Sequence, residues 1–432
     1  MQLTKWLNKM IKFCSVILAL LSGLCLQAQD VNHLTLQQAY DLARQNYPMI
    51  RQKDLVHQTA SLTIENLSKG FLPQLNISGQ ATYQSDVTSV PVSIPGLKID
   101  QPSKDQYKIQ AELSQLVYDG GNTTAQKNVQ TANELVEDQK AEVELYKVKD
   151  RINQLYLGIL LVDEQLKQVE LVKKDVQLGI QRVEAQVKNG TAFRSNQLTL
   201  EAEQMKNDQR TIELNANRKG LVDVLSLFIN KPLPATVQLE MPQVLAPVTQ
   251  ESVIRPELKL YDYQQNLFKV QNQLISARNR PHTSLFVQGG YGKPGLNLLK
   301  NQFDWFYVAG VRLNWGLGGL YTSKKERELL SINQRMVDVQ KDLFTLNTNT
   351  QLKQQQSEVE KLQQLIASDQ QIISIRTQVK EAANAQLSNG VITANDYLRE
   401  VNNEDQARLS LISHQLQLVQ AQINYRTLSG NQ

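Results

Sequence analysis

The chain has 432 residues, with 46 Lys and Arg against 42 Asp and Glu and a formal net charge of +4. Lys5, Lys9 and Lys12 belong to a leader expected to be removed, which leaves 43 basic residues against 42 acidic ones and gives no reason to expect a nucleic-acid partner. Both cysteines, Cys14 and Cys25, sit in the same leader, so the mature chain is expected to carry no disulfide and no cysteine metal site.

The leader lysines precede an apolar run from Phe13 to Leu26, then Gln27-Ala28-Gln29-Asp30 with a small residue suited to signal peptidase. Residues 1–28 therefore read as a secretory signal. A lipid anchor at Cys25 is the alternative, opposed by Leu24 where a small residue is wanted. After the signal no run of 18 apolar residues occurs, so membrane insertion has to use a closed β-barrel rather than a transmembrane helix.

The mature chain is an internal duplication. Tyr47-Pro48 returns as Arg255-Pro256, Phe71-Leu72-Pro73 as Asn279-Arg280-Pro281, Gly120-Gly121 as Gly318-Gly319 and Asn189-Gly190 as Asn389-Gly390, with a longer strand-to-strand loop in the first copy. The first structural repeat covers 29–230 and the second 251–432.

In the first repeat, strands are predicted over about 73–84 and 105–118. Leu75, Ile77, Gly79, Ala81 and Tyr83 alternate with Asn76, Ser78, Gln80, Thr82 and Gln84; Tyr107, Ile109, Ala111, Leu113 and Val117 alternate with Lys108, Gln110, Glu112 and Ser114. A helical hairpin comes next, over about 121–230. Leu145, Val148, Ile152, Leu155, Ile159, Val162, Leu166 and Val169 form a heptad seam. The hairpin turns at Asn189-Gly190, where glycine can take the left-handed backbone that ends a helix. Residues 231–250, with Pro232, Pro234, Pro242 and Pro247, are too proline-rich for a helix and read as an irregular linker.

The second repeat predicts strands over about 282–292 and 305–316. Phe286 breaks the alternation in the first of them, and Arg312 lies on the polar side of the second. Its helical hairpin runs over about 320–428, with a weaker heptad pattern in Met336, Val339, Leu343 and Leu346. Each long helix has roughly 66 to 68 residues, which at 1.5 Å per residue is about 100 Å.

An apolar strand face opposite a face bearing Lys108, Glu112 and Arg312 suits a water-filled membrane barrel, with those three residues in the lumen. A half-buried sheet in a soluble domain alternates in the same way; the signal and the aromatic strand ends Tyr107, Tyr307 and Trp315 favour the barrel. Four strands cannot enclose a lumen, so several chains have to pool them, and three would give twelve. The fold class is thus mainly α with a β-barrel portion, four strands per chain, internally duplicated.

Taken together, these features resemble the outer membrane efflux protein family over essentially the whole mature chain. The most specific part is the pair of tips: Gly190, Asn196 and Leu198, then Gly390, Asp396 and Leu398 at the same spacing. The resemblance implies a homotrimer with a twelve-stranded outer-membrane barrel continued by a twelve-helix periplasmic tunnel. It would act as the exit duct for an inner-membrane transporter, of RND or ABC type, coupled through a periplasmic adaptor. It also implies that Lys188, Asn189, Gly190, Thr191, Ser388, Asn389, Gly390 and Val391 dock the adaptor. One aperture carboxylate falls on Asp396, while Arg399 stands where the family has a second acid.

No enzyme, cofactor or metal site is expected: His33, His57, His282 and His414 are scattered in the chain, and the glycines before Lys324 lack the spacing of a phosphate loop. The alternative function is a non-channel coiled-coil scaffold of the cell envelope.

Overall fold

A computed structural model describes residues 33–88, 101–243, 252–298 and 300–430. The signal segment, both cysteines and Pro247 lie outside these residues. The chain divides into two units. One comprises Arg51–Val143 and Pro256–Thr345; the other comprises Glu144–Arg255 and the described parts of 1–50 and 346–432.

The strand-bearing unit holds β2 (Gln74–Tyr83), β3 (Asp105–Tyr118), β5 (His282–Lys293) and β6 (Asp304–Asn314) in one antiparallel sheet of order β2-β3-β5-β6. The register pairs Glu112 with Asn76 and Gln288, and Ser284 with Arg312, so residues of one parity share a face across all four strands. That face carries Asn76, Gln80, Lys108, Gln110, Glu112, Gln288 and Arg312. The opposite face carries Leu75, Ile77, Ile109, Leu113, Val287, Tyr307 and Val311, and it is bare: Ile77 keeps 72% of its surface and Tyr307 79%. Tyr291 stacks with Phe303 at 5.4 Å and meets Trp305 at 5.0 Å at the loop end of the apolar face.

Phe286, which breaks the alternation, stands on the polar face opposite Gly310, and Phe306 stands there opposite Gly290. The two pairs are reciprocal. A Cβ on Gly290 would lie 2.6 Å from the Phe306 ring, and one on Gly310 would lie 3.2 Å from the Phe286 ring. Each ring thus occupies the space a side chain would fill across the ladder.

Each strand pair feeds a helix. Gly120 and Gly121 take φ values of +71° and +83°, and the Asp119 carboxylate accepts from the backbone N–H of Gly121 at 2.8 Å and of Thr123 at 2.6 Å. This caps α3 (Asn122–Lys188). In the second copy Gly319 needs no positive φ; a Cβ there would lie 2.1 Å from Asn279 Oδ1. α2 (Met49–Lys69) packs on the start of α3 through Lys53, which bridges Glu142 at 2.5 Å and Asp138 at 3.2 Å. α5 (Pro256–Arg278) packs on the start of α6 (Gly319–Ser388) through Asp262 and Lys341 at 2.8 Å and the Tyr261 and Phe344 rings.

The helical unit contains β1 (His33–Leu34), α1 (Leu36–Asn46), the rest of α3 and α6, α4 (Arg194–Ile229), β4 (Gln238–Leu239) and α7 (Ala394–Ser429). The expected seam on α3 is its core. Ile152, Leu155, Tyr156 and Ile159 pack with Ala39 and Ala43 of α1, Val222, Leu225 and Ile229 of α4, and Leu416 of α7. Within the linker, described as far as Gln243, β4 pairs in parallel with β1, His33 with Gln238 and Leu34 with Leu239, and the residues around it are irregular. The hydroxyl of fully buried Tyr156 lies 2.7 Å from the carbonyls of both Leu34 and Glu240, and Arg218 donates to the Val237 carbonyl at 2.6 Å.

Candidate functional site

Three groups of residues carry the expected function, and each belongs to one unit. On the polar face of the sheet, Arg312 makes a two-pronged bond to Glu112 at 2.7 and 3.2 Å, and its guanidinium lies 4.4 Å from the centre of the Phe286 ring. Lys108 lies 4.7 Å from the centre of the Phe306 ring. The three lumen candidates thus do share a face, and the aromatic rings that interrupt the pattern are the platforms on which the cations rest.

The two helix tips are near copies. Beyond Lys188, the N–H groups of Asn189, Gly190 and Thr191 donate to Ala185, Val187 and Gln186; beyond Ser388, those of Asn389, Gly390 and Val391 donate to Ala385, Leu387 and Gln386. Gly190 and Gly390 take φ values of +75° and +70°, which closes the last turn of each helix. Gln186 ties the tips together by donating to the Leu387 and Ser388 carbonyls at 3.0 and 3.1 Å. The return helices then diverge. Thr393 and Asp396 cap α7 reciprocally, whereas Phe193 at the start of α4 offers no side-chain cap. Leu398 is 5% exposed, but its counterpart Leu198 is 52% exposed and Phe193 is 81% exposed. The tip surface is therefore apolar at Phe193, Leu198 and Val391, and the first two are not among the docking residues expected from the sequence.

At the expected aperture, the Asp396 carboxylate accepts from the Thr393 hydroxyl at 2.7 Å and from its N–H at 3.2 Å. These bonds, with Arg399 adding a weaker attraction, hold its carboxyl below the usual carboxylate range against the opposing pull of burial. Within one chain Arg399 does not pair with Asp396; its Nε donates to Glu400 at 3.1 Å. Behind this surface lies a network that linear reading misses. Buried Glu404 meets Lys380 at 2.6 Å, Arg408 at 2.6 Å and the Thr377 hydroxyl at 2.7 Å, while Asp405 meets Gln168 at 3.0 Å and Arg210 at 3.1 Å. Its signal in the sequence is two acids at seam positions below Leu398 and Val401.

Two histidines have acidic partners that are remote in sequence: His57 with Glu134 at 2.7 Å and His414 with buried Asp369 at 2.6 Å. Among the described residues no cluster of three or more His, Cys, Asp or Glu could hold a metal, and no helix is long and apolar enough to cross a membrane.

Residues 39–227 match the outer membrane efflux protein family. The match ends inside α4, so the fold of the second repeat rests on solved structures. CusC superposes with a TM-score of 0.68 at 15% identity, over 92% of this chain and 92% of that one. VceC of Vibrio cholerae gives 0.65 at 13% over 92% and 96%, and the open state of the MtrE outer membrane channel of Neisseria gonorrhoeae gives 0.65 at 14% over 92% and 89%. At these identities the likeness is one of fold. No curated protein matches the sequence.

Proposed function

We propose that three copies of this chain form an outer-membrane exit duct of a tripartite efflux or secretion system. The duct conducts passively and performs no chemistry. Substrate arrives from an inner-membrane transporter through a periplasmic adaptor, and the transporter supplies the energy.

The observation that carries this reading is the sheet. It has one apolar and exposed face, one face with Lys108, Glu112 and Arg312, and, among the described residues, outer edges on β2 and β6 that pair with nothing. Unpaired edges are not tolerated in lipid, and β6 of one copy joined to β2 of the next removes them. The helices of the same unit support this closure. Leu329, Ile332, Met336, Val339 and Leu343 form an exposed heptad seam on α6, while Leu55 and Leu62 are exposed on α2, the helix that leads into β2. A three-copy ring brings the two seams together. A coiled-coil scaffold gives the apolar strand face no role.

At the far end we assign adaptor docking to the tips at Lys188 to Thr191 and Ser388 to Val391, extended by Phe193 and Leu198. The aperture is assigned to Asp396 and Arg399. Membrane fractionation and then planar-bilayer recording test the proposal. The expected result is a heat-resistant oligomer in the outer membrane with stable single-channel conductance; a monomer that forms no pores ends the case.

A further inference from the structure

The helical unit contains a cavity of about 360 Å³ whose lining includes Tyr40, Tyr146, Lys149, Glu240, Ile423 and Arg426. Its size falls within the range that holds small ligands. Three helices and a strap build it. α1 supplies Tyr40, α3 supplies Tyr146 and Lys149, and α7 supplies Arg426. The strap after β4 is fixed by the bond of Tyr156 to the Glu240 carbonyl.

Two cations, Lys149 and Arg426, line it against one acid, Glu240. The Lys149 ammonium lies 5.3 Å from the centre of the Tyr40 ring and 5.1 Å from that of Tyr146. Both tyrosine hydroxyls are committed elsewhere, Tyr40 to Asn153 and Tyr146 to the Thr427 carbonyl at 2.7 Å. Arg255 covers Tyr146 at 4.8 Å and also donates to the Thr427 carbonyl, at 3.1 Å. Among the described residues no carboxylate lies within ion-pair distance of Lys149. Burial and the nearby Arg44 push its ammonium down, with Asp41 offsetting them in part. Asp41 itself accepts from Gln37 at 3.1 Å, and the Glu240 side chain stands exposed at the rim. A half-buried cation with aromatic walls and no counter-ion is costly, and a bound anion offsets that cost.

We propose that this cavity binds a carboxylate, carried by a small free acid or by a short acidic peptide, with Lys149 and Arg426 as its cationic contacts and the Tyr40 and Tyr146 rings as its walls. The site does not depend on the duct reading, because it is built wholly within the helical unit. Occupancy ties α1, α3, α7 and the strap to one ligand.

The test uses the full chain in detergent with its lysines reductively methylated with 13C, and follows the Lys149 resonance, identified by its disappearance in Lys149→Arg. Glutarate is expected to shift that resonance saturably and uncharged glutaramide to leave it in place. Arg426→Gln, which keeps the resonance, should weaken glutarate binding at least tenfold. A tetrapeptide with two carboxylates that binds tenfold tighter than glutarate assigns the site to a peptide; equal affinity assigns it to a free acid. An absence of saturable shift with either carboxylate, or an equal shift with glutaramide, overturns the proposal.

Discussion

Glu404 of α7 receives the Lys380 ammonium of α6 at 2.6 Å, and its side chain is only 4% exposed. Lys380 also reaches Asp175 of α3 at 2.7 Å, so one lysine joins three helices near the tips. Burial pushes the Glu404 carboxyl up, but hydrogen bonds from Lys380, Thr377 and Arg408 outweigh it and hold the group below its ordinary value. Burial likewise pushes Lys380 down, and its bonds to Asp175 and Glu404 reverse the sign and raise it. Removing the acid leaves Lys380 with Asp175 alone and takes from Arg408 the carboxylate it binds. Glu404→Ala is expected to cost about 3 kcal/mol, the low end for breaking a buried pair, read as a loss of stability in denaturant.

The same pair sets a pH window. A depressed carboxyl contributes stability that is present above the unfolded value of about 4.3 and lost as pH falls through the folded value. A raised lysine contributes stability that is present below about 10.4 and lost as pH rises through its folded value. Amide exchange in α7 around Glu404 should therefore quicken on acidification below about pH 4, and Glu404→Gln should flatten that limb. An acid limb identical in the variant would assign it to other carboxylates.

Asp396 serves as both helix cap and aperture candidate, and one variant separates the roles. Asp396→Ala removes the reciprocal cap with Thr393 and should loosen the start of α7, read as faster amide exchange in its first turn. If the residue also lines the constriction, single-channel conductance and ion selectivity change. Unchanged values would leave Asp396 with the capping role alone.

The Glu112 and Arg312 pair leaves Lys108 as the cation on that face with no acidic partner among the described residues. Glu112→Gln frees Arg312 as well. In a three-copy duct, reversal-potential measurements should move toward anion preference; an unmoved potential would put this face outside the conduction path.

Gly290 and Gly79 make a matched pair. A Cβ on Gly290 would fall 2.5 Å from the Ile109 carbonyl and 2.6 Å from the Phe306 ring, while one on Gly79 meets nothing within 4 Å. Gly290→Ala should destabilise the sheet by about 1 to 3 kcal/mol, the usual cost of overpacking, and lower the temperature at which the oligomer dissociates on gels. Gly79→Ala should migrate like the parent.

The seam on α6 gives the last prediction. Met336→Asp places a charge in the middle of the exposed heptad row and should leave the protomer folded while reducing the oligomer fraction in light scattering. Wild-type assembly would remove this seam from the interface.

The strands are legible in the sequence because a sheet wet on one face imprints its period directly: Leu75 to Tyr83 and Tyr107 to Leu113 alternate without interruption. Phe286 is not, since a ring opposite a glycine is a cross-strand relationship that no single strand discloses. The long helices are legible from the absence of proline and the seam from Leu145 to Val169. By contrast α1, α2 and α5 register only as landmarks, although the Thr35 and Gln38 capping box and Pro256 at a helix start are available as signals. β1 and β4 are two residues each, too short to have a period. At the tips the glycines stand out by their turn chemistry. The Glu404 network does not, because its partners Asp175 and Lys380 lie 205 residues apart and meet only when the two hairpins do.

The two copies of the repeat meet at β3 and β5, paired from Tyr107 with Lys293 to Tyr118 with Thr283. Covalent linkage makes that junction a first-order event, as fast in a dilute solution as in a crowded one, whereas in the proposed ring the outer edges of β2 and β6 must await an encounter. Dilution should therefore strip the outer junctions and spare the central one. Duplication has in this way moved half of the junctions of the proposed ring from assembly into folding.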